Sequence, residues 1–359
     1  YFWVENKRRE VVQSVGLKNK SCGNASISFG ILMTGCTFEK PAAAWTVQNT
    51  NSSEETEIYT KGAAVDELFT EDSKVQDIIK DPAFGGFGRL IFPADRPIDD
   101  ELTLENLDDI LVWYSHVNPE RSVSIVNEMK KRIQDGEQIF YDIYTEEEKK
   151  EDPAKENTGL FFFRGTPGEK VAIVNAGGGF AYVAAMHDSF PHMQELAKKG
   201  YNAFALIYRP EAQTACEDLA RAIAFIHEHA EELQVDIKRY SLWGGSAGAR
   251  MAAWLGSYGT AAFGEKEYPA PGAVIMQYTG LYDVFGNEPP TYVCVGTSDG
   301  IASYQIMEQR ISAIQSQGTP AEIEVFDGLG HGFGLGEGTV AEGWLDHAAA
   351  FWEEQTNEN

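Results

Sequence analysis

The chain has 359 residues, and its 55 Asp and Glu against 29 Lys and Arg give a formal net charge of −26. A field of this sign repels phosphate backbones and argues against nucleic acid as a partner. A hydrophobic fraction of 43% can form a large core, and it excludes an intrinsically disordered chain. No run of about 18 apolar residues is present, so the sequence predicts no membrane-spanning helix. Four cysteines without a CxxC pair exclude a disulfide-dense scaffold.

Residues 1–62 are predicted to form an N-terminal tail or linker, because a basic start leads into the polar stretch QNTNSSEETE at 48–57. The run GILMTGC at 30–36 resembles a lipoprotein processing site ahead of a tether, although the preceding segment is a poor hydrophobic region. We therefore predict a cytoplasmic protein by default, with an exported lipoprotein anchored at Cys36 as the alternative.

Residues 63–138 are predicted to form a helical extension. The segments VDELF, VQDII and LDDILVWYSHV carry apolar residues at helical spacing, and DPAFGGFG at 81–88 is typical of a loop. Long apolar strands are absent from this part of the sequence and begin only after it.

Residues 139–359 are predicted to form the main domain, in which strand and helix patterns alternate. Helical patterns cover 216–233, 302–318 and about 340–354. Near-continuous apolar runs separated by amphipathic helices are typical of a parallel sheet that is covered on both faces. The sequence therefore predicts an α/β fold with a mostly parallel, eight-stranded sheet, whose strands correspond to 139–144, 159–163, 170–176, 202–208, 240–244, 273–278, 291–296 and 321–326.

The segment YSLWGGSAGARMAAWLG contains the pattern G-x-S-x-G at 244–248, at the point where a strand leads into a helix. Small residues on both sides of the serine permit a sharp turn that exposes its hydroxyl. The N–H groups of the following helix point towards the place where an oxyanion would form. Ser246 is therefore the candidate nucleophile, and the N–H of Ala247 is a candidate oxyanion donor.

Three further segments complete a catalytic set in chain order. The glycine run in NAGGGF, at 175–180, supplies candidate oxyanion N–H groups from Gly178 and Gly179. Asp299 follows the apolar strand TYVCVG, and His331 lies among glycines after the strand AEIEVF. His331 would take the proton of Ser246, and Asp299 would orient the imidazole.

Other residues compete for these roles. Asp283, in GLYDVFG, is the alternative acid. His187 precedes the serine in the sequence and is assigned a structural or substrate-contacting role, and His347 is assigned to the surface or to packing of the last helix. Nucleophile, base, acid and oxyanion donors are all present, so no cofactor and no metal are expected.

With these residues the chain resembles the α/β-hydrolase superfamily, in the esterase and lipase branch with a HGGG-like oxyanion segment. It is similar to bacterial carboxylesterases and acetyl-xylan-esterase-like enzymes, over residues 139–355. The resemblance implies an α/β-hydrolase fold and a serine carboxylesterase for short-acyl, small-molecule esters, with acetylated carbohydrate as a natural substrate. In the family a histidine precedes the glycines, whereas Ala176 occupies that position here, after Asn175. This departure leaves open which glycine N–H groups donate.

The resemblance gives two interpretations of the extension. In relatives, extra helical segments commonly form a cap, and Phe84, Phe87, Trp113 and Tyr114 would then line an acyl or alcohol pocket. Alternatively, the extension packs on the back of the core. Two other functions remain as alternatives, namely a serine peptidase or amidase of the same fold and a non-catalytic binding protein. The sequence does not specify the acyl chain length, the alcohol or the oligomeric state.

Overall fold

The structure is a computed structural model that describes residues 68–357. In this part of the chain eight strands form one sheet, and they follow the apolar runs of the sequence. The strands are β1 (Phe140–Tyr141), β2 (Gly159–Phe163), β3 (Lys170–Asn175), β4 (Asn202–Ile207), β5 (Asp236–Gly245), β6 (Ala273–Gln277), β7 (Thr291–Gly296) and β8 (Ala321–Phe326).

The strand order in the sheet is β1-β2-β4-β3-β5-β6-β7-β8. β2 is antiparallel to both of its neighbours, and β4, β3 and β5 to β8 are parallel. Strands β2 to β4, β6 and β7 are buried along their whole length, as expected of a sheet covered on both faces. The predicted α/β fold with a mostly parallel, eight-stranded sheet is confirmed.

Ten α-helices accompany the sheet in the described residues. Two of them begin with side-chain caps: the side chain of Asn118 accepts a hydrogen bond from the N–H of Arg121, and Thr145 and Glu148 form a capping box. The helices are α1 (Val75–Ile79), α2 (Pro119–Gln134), α3 (Glu146–Glu151), α4 (Ala185–Asp188), α5 (Phe190–Lys198), α6 (Ala212–Glu228), α7 (Ala230–Leu233), α8 (Ala247–Tyr258), α9 (Tyr304–Ser316) and α10 (Trp344–Thr356).

Neighbouring residues of β5 show that helices cover both faces of the sheet. The ring of Trp243 contacts Trp344 of α10, with centroids 6.2 Å apart. Gly244, the next residue, faces α8, because a Cβ added to it would overlap Gly248. Successive residues of a strand point to opposite faces, so α8 and α10 lie on opposite sides of the sheet. Helix α6 packs on α8, and α5 meets α10 where His192 contacts Trp344.

The described part of the extension packs against the domain that carries the sheet. Helix α2 contacts α5, and the side chain of Arg121 reaches Glu195 of α5 at 2.6 Å. Near the antiparallel end of the sheet, Phe87 stacks on Phe140 with centroids 4.8 Å apart, and it also contacts Phe161 edge-on. These contacts place the extension on the same unit as the sheet.

Some boundaries differ from the sequence prediction. The predicted strand at 139–144 is reduced to the two residues of β1. The helical pattern at 216–233 divides into α6 and α7 at His229, whose backbone (φ −112°, ψ 13°) leaves the helical region. The last helix begins at Trp344, because Gly343 before it has a φ of 93°. Residues 1–62, with the predicted linker and the candidate anchor Cys36, lie outside the described residues.

None of the helices between residues 68 and 357 is long and apolar enough to cross a membrane.

Candidate active site

Ser246 stands in the sharp turn between β5 and α8, with a left-handed φ of 51° and a ψ of −110°. A non-glycine residue adopts this backbone only at an energetic cost, which the surroundings must offset. The N–H of Ser246 donates a hydrogen bond of 3.0 Å to the carbonyl of Gln277 at the end of β6, and this bond holds the turn. Ser246 is half-buried at the carboxyl edge of the sheet.

The glycines around Ser246 are required by close backbone approach. A Cβ at Gly244 would overlap Gly248, and a Cβ at Gly248 would overlap the carbonyl oxygen of Asn175 at the end of β3. A Cβ at Gly245 would overlap the carboxylate of Asp188. The G-x-S-x-G pattern is therefore a packing requirement of this turn.

Ser246, His331 and Asp299 form one chain of hydrogen bonds. Nε2 of His331 lies 3.1 Å from Oγ of Ser246, and Nδ1 of His331 lies 2.7 Å from Oδ2 of Asp299. A carboxylate only accepts, so Nδ1 carries the proton and Nε2 is free to accept from the serine hydroxyl. The side chain of Asp299 is fully buried, and its Oδ1 accepts from the N–H groups of Ile301 and Ala302 at 2.8 Å each.

The loops that carry the acid and the base are joined to each other. The N–H of Thr297 donates to the carbonyl of Phe326 at 2.9 Å, and the N–H of Ser298 donates to Leu329 at 3.0 Å. The N–H of Gly328 donates to the hydroxyl of Thr297 at 2.7 Å. These bonds extend the β7–β8 pairing past the strand ends, and they bring Asp299 to the histidine from the neighbouring loop.

The glycine loop after β3, residues 176–180, lies beside the turn that carries Ser246. Gly178 and Gly179 have φ angles of 120° and 64°, which favour glycine. The carbonyl of Gly178 accepts from Ala181 at 3.0 Å. In the described part of the chain, the N–H groups of Gly178, Gly179 and Ala247 have no acceptor, whereas the N–H of Gly177 donates to Asp188. The three unengaged N–H groups are the candidate oxyanion donors.

Residues 164–288, about a third of the chain, match the BD-FAE family model. This range contains the glycine loop, the Ser246 turn and strands β3 to β6, inside a sheet whose order and single reversed strand are those of the α/β-hydrolase fold. The described residues have the α/β-hydrolase fold.

Solved structures of Thermogutta terrifontis esterase 2 are similar to this chain. The apo form has 21% sequence identity and a TM-score of 0.49, over 55% of this chain and 90% of that chain. The propionate-bound form has 21% identity and a TM-score of 0.49, over 56% and 92%. The form phosphorylated by paraoxon has 22% identity and a TM-score of 0.49, over 55% and 89%. None of the curated proteins compared with the chain matches it.

A segment of the extension, residues 112–116, crosses the candidate active site, and we call it the strap. The hydroxyl of Tyr182, after the glycine loop, donates to the carbonyl of Val112. On the other side, Ser115 donates from its N–H to Gly332 at 3.1 Å and from its hydroxyl to the carbonyl of His331 at 2.8 Å. Trp113 has a φ of 76°, and its side chain is 52% exposed. The strap thus joins the glycine loop to the loop that carries the base.

Asp188, the last residue of α4, is completely buried beneath the glycine loop. Its Oδ2 accepts from the N–H of Gly177 at 2.6 Å and from the hydroxyl of Tyr114 at 3.0 Å, and its Oδ1 accepts from the hydroxyl of Tyr278. Burial raises the pKa of Asp188 to about 6, although these three donors favour the ionised form. The ring of Tyr278 contacts the ring of His331 edge-on, with centroids 5.1 Å apart.

His187 supports the base loop and does not contact the nucleophile. Its Nε2 lies 2.9 Å from the carbonyl of Gly332, so Nε2 carries the proton and donates. Burial lowers the pKa of His187 to about 4, and the imidazole is therefore neutral at neutral pH. This contact agrees with the structural role expected of His187.

The remaining candidates have other partners in the described residues. The backbone carbonyl of Asp283 accepts a hydrogen bond from the guanidinium group of Arg310. His347 lies at the surface, with Nδ1 2.7 Å from Glu324. Cys216 and Cys294 are buried free thiols, and burial raises the pKa of both.

The four aromatic residues expected to line one pocket fall into two groups. Trp113 and Tyr114 lie in the strap, at the glycine loop. Phe84 is completely buried, and it packs with Phe87 in the layer over β1 and β2. The expectation that Phe84 and Phe87 line one pocket with Trp113 and Tyr114 is therefore wrong, because Phe84 is buried against Phe69 and Phe87, and Phe87 packs on the rings of Phe140 and Phe161.

Sequence reasoning missed Ser115, Asp188 and Tyr278, and it did not predict the carboxylate contact of Tyr114. One signal could have indicated Asp188: an acidic residue occurs in the otherwise apolar and neutral segment AAMHDSF, close after the glycine run. A charged residue in a buried segment needs partners, and such residues are enriched at functional sites.

Proposed function

We propose that the chain is a serine carboxylesterase that hydrolyses short-acyl, neutral esters through Ser246, His331 and Asp299. The observation that carries the proposal is the continuous hydrogen-bond chain from Oγ of Ser246 through His331 to Asp299. A serine hydroxyl becomes an effective nucleophile at neutral pH only with such a base within hydrogen-bond reach.

The proposed reaction has two halves. His331 takes the proton of Ser246 as the hydroxyl attacks the ester carbonyl, and Asp299 stabilises the imidazolium that forms. The imidazolium returns the proton to the leaving alcohol, and an acyl-enzyme remains on Ser246. Water, deprotonated by His331, then attacks the acyl-enzyme. When this second tetrahedral intermediate collapses, the imidazolium returns the proton to Oγ of Ser246, and the carboxylic acid leaves.

The N–H groups of Gly178, Gly179 and Ala247 are proposed to stabilise the negative oxygen of the tetrahedral intermediate. They have no acceptor among the described residues and lie on the two segments that meet at Ser246. Each such donor contributes on the order of 3 kcal/mol to stabilisation of the transition state. The resemblance of the sequence to acetyl-xylan-esterase-like enzymes supports acetylated carbohydrate as a natural substrate.

The test is hydrolysis of p-nitrophenyl esters from acetate to decanoate by the wild type, Ser246→Ala and Ser257→Ala. Ser257 is a matched control, because it lies on the same helix and its buried hydroxyl has no partner among the described residues. We expect rapid wild-type turnover of the short esters, a loss of at least about 10⁴-fold in Ser246→Ala, and near-normal turnover in Ser257→Ala.

Two results would contradict the proposal. Turnover that survives in Ser246→Ala would show that another group is the nucleophile. A wild type that hydrolyses no ester of the series would favour the amidase or the binding-protein alternative, and peptide amides would then be the next substrates to assay.

A further inference from the structure

The carboxylate of Asp188 is held by hydrogen-bond donors from three segments of the chain. In the part of the chain that the structure describes, no Lys or Arg forms an ion pair with Asp188. Asp218, a second buried carboxylate, has the more common arrangement: Nη2 of Arg209 lies 2.7 Å from it. An unpaired buried carboxylate is costly, and such groups are enriched at functional sites.

The three donors to Asp188 come from three segments that surround the proposed catalytic groups. Gly177 directly precedes the candidate oxyanion donors, so the bond from its N–H fixes the direction in which the glycine loop leaves β3. Tyr114 belongs to the strap. Tyr278 follows β6, and its ring packs against the imidazole of His331.

The turn that carries the nucleophile also touches this carboxylate, because a Cβ on Gly245 would overlap both oxygens of Asp188. One buried side chain is thus in contact with the glycine loop, with the neighbour of Ser246 and with the tyrosine that packs on His331. Displacement of catalytic groups by about 1 Å can cost 10²-fold in rate.

We propose that Asp188 is a positioning residue of this active site, whose ionised carboxylate holds the glycine loop and Tyr278 in the arrangement that Ser246 and His331 require. The inference rests on the proposed esterase function and adds to it a group that does not touch the substrate.

Protonation of Asp188 would disturb this arrangement. All three neighbours donate to the carboxylate, so a protonated carboxyl has a proton without an acceptor. The N–H of Gly177 cannot accept a hydrogen bond. Either a tyrosine hydroxyl must therefore rotate so that it accepts the new proton, or one of the three hydrogen bonds must break. Asparagine brings the same conflict at every pH, because its amide nitrogen is a donor of nearly the same shape.

The charge of Asp188 should change in an accessible pH range, since burial raises its pKa to about 6. Burial also raises the pKa of the surrounding tyrosine and cysteine side chains above their usual values, so they stay neutral there. The titratable groups around Asp188 are Tyr114, Tyr182, Tyr208, Tyr278, Cys294 and His331.

The experiment measures kcat and KM for p-nitrophenyl acetate from pH 5 to pH 8.5 in the wild type, Asp188→Asn and Asp218→Asn. We expect the ratio of wild-type to Asp188→Asn kcat/KM to be near one at pH 5 and to rise at least tenfold by pH 8, with a midpoint near pH 6 and with the change mainly in kcat. Asp218→Asn controls for the loss of a buried carboxylate, and its ratio should not depend on pH.

A second readout does not depend on activity. In protein labelled with ¹⁵N-glycine, the amide proton of Gly177 should resonate far downfield, as a 2.6 Å bond to a carboxylate requires, and it should move upfield in Asp188→Asn. A Tyr114→Phe variant should keep this resonance, because it removes only the strap's bond to the carboxylate.

The outcomes separate the inference from the proposed function. A pH-independent ratio, or an unchanged Gly177 resonance in Asp188→Asn, would overturn the inference even if turnover depends on Ser246. If no turnover depends on Ser246, the proposed function fails, and the Gly177 resonance alone then decides whether Asp188 holds the glycine loop.

Discussion

The hydroxyl of Ser115 donates a 2.8 Å hydrogen bond to the backbone carbonyl of His331, across 216 residues of sequence. The N–H of Ser115 donates to the next carbonyl, that of Gly332, at 3.1 Å. The extension therefore contacts the loop of the proposed base directly. A truncation before residue 139 would remove this contact. A loss of activity in such a truncation could therefore follow under either interpretation of the extension, as a cap or as an appendage.

Replacement of Ser115 by alanine should weaken this connection without breaking it. The backbone N–H bond to Gly332 remains, and one hydroxyl–carbonyl bond contributes roughly 1 kcal/mol net. We expect kcat for p-nitrophenyl acetate to fall by up to about tenfold, with little change in KM. Ser316→Ala is the control, because its hydroxyl is exposed and bonds only within α9. An identical kcat in both variants would show that the bond has no influence on the base.

Asp299→Asn should reduce kcat by on the order of 10⁴-fold at neutral pH, because an amide nitrogen facing Nδ1 favours the wrong imidazole tautomer. Asp283→Asn is the matched control. It should retain most of the activity, since Asp283 accepts the hydrogen bond from Arg310 with its backbone carbonyl, which the substitution keeps. Steady-state kinetics on p-nitrophenyl acetate compare the two. Equal losses in both variants would contradict the choice of Asp299 as the acid.

The sheet could be predicted from the sequence because its strands are buried on both faces. Apolar runs such as KVAIVNA and TYVCVG can be identified as strands without knowing which strands pair with them, and both form strands in the structure. Ser246, Asp299 and His331 could be proposed for a related reason: each follows such a run, and the carboxyl ends of parallel strands meet at one edge of the sheet.

The supporting contacts could not be predicted, because they join segments that are far apart in the sequence. Tyr114 and Asp188 are separated by 74 residues, and Asp188 and Tyr278 by 90. Local patterns carry no information on such pairs. The placement of Phe87 was missed for the same reason, since its partners Phe140 and Phe161 lie on strands whose register with the extension is set only in the folded protein.

Trp113 offers a test of the cap hypothesis. Its indole is 52% exposed and lies 3.0 Å from the position that a Cβ on Gly179 would occupy, so it stands at the edge of the proposed oxyanion donors. If the strap shapes the binding site, Trp113→Ala should raise KM several-fold for esters of large alcohols and leave methyl esters nearly unchanged.

The control for this test is Trp113→Phe, which keeps an aromatic ring on the same left-handed backbone (φ 76°). It should retain most of the selectivity. Measurement of kcat/KM on acetate esters of graded alcohol size would compare the three proteins. An unchanged ranking of substrates in Trp113→Ala would contradict a role of the strap in selectivity and favour the appendage interpretation.

The pH dependence of stability should report the cost of the buried Asp188. Its pKa is about 6 in the folded protein against an ordinary value of 3.8, so between these values the folded state binds a proton that the unfolded state has released. Stability contributed by this group therefore falls as the pH rises from about 4 to 6, by on the order of 3 kcal/mol, and is constant above that window. Asp188→Asn lacks this titration. Urea unfolding at pH 4.5, 5.5 and 7 should thus show the variant gaining stability relative to the wild type as the pH rises; a constant difference between the two would mean that Asp188 does not change its protonation in this range.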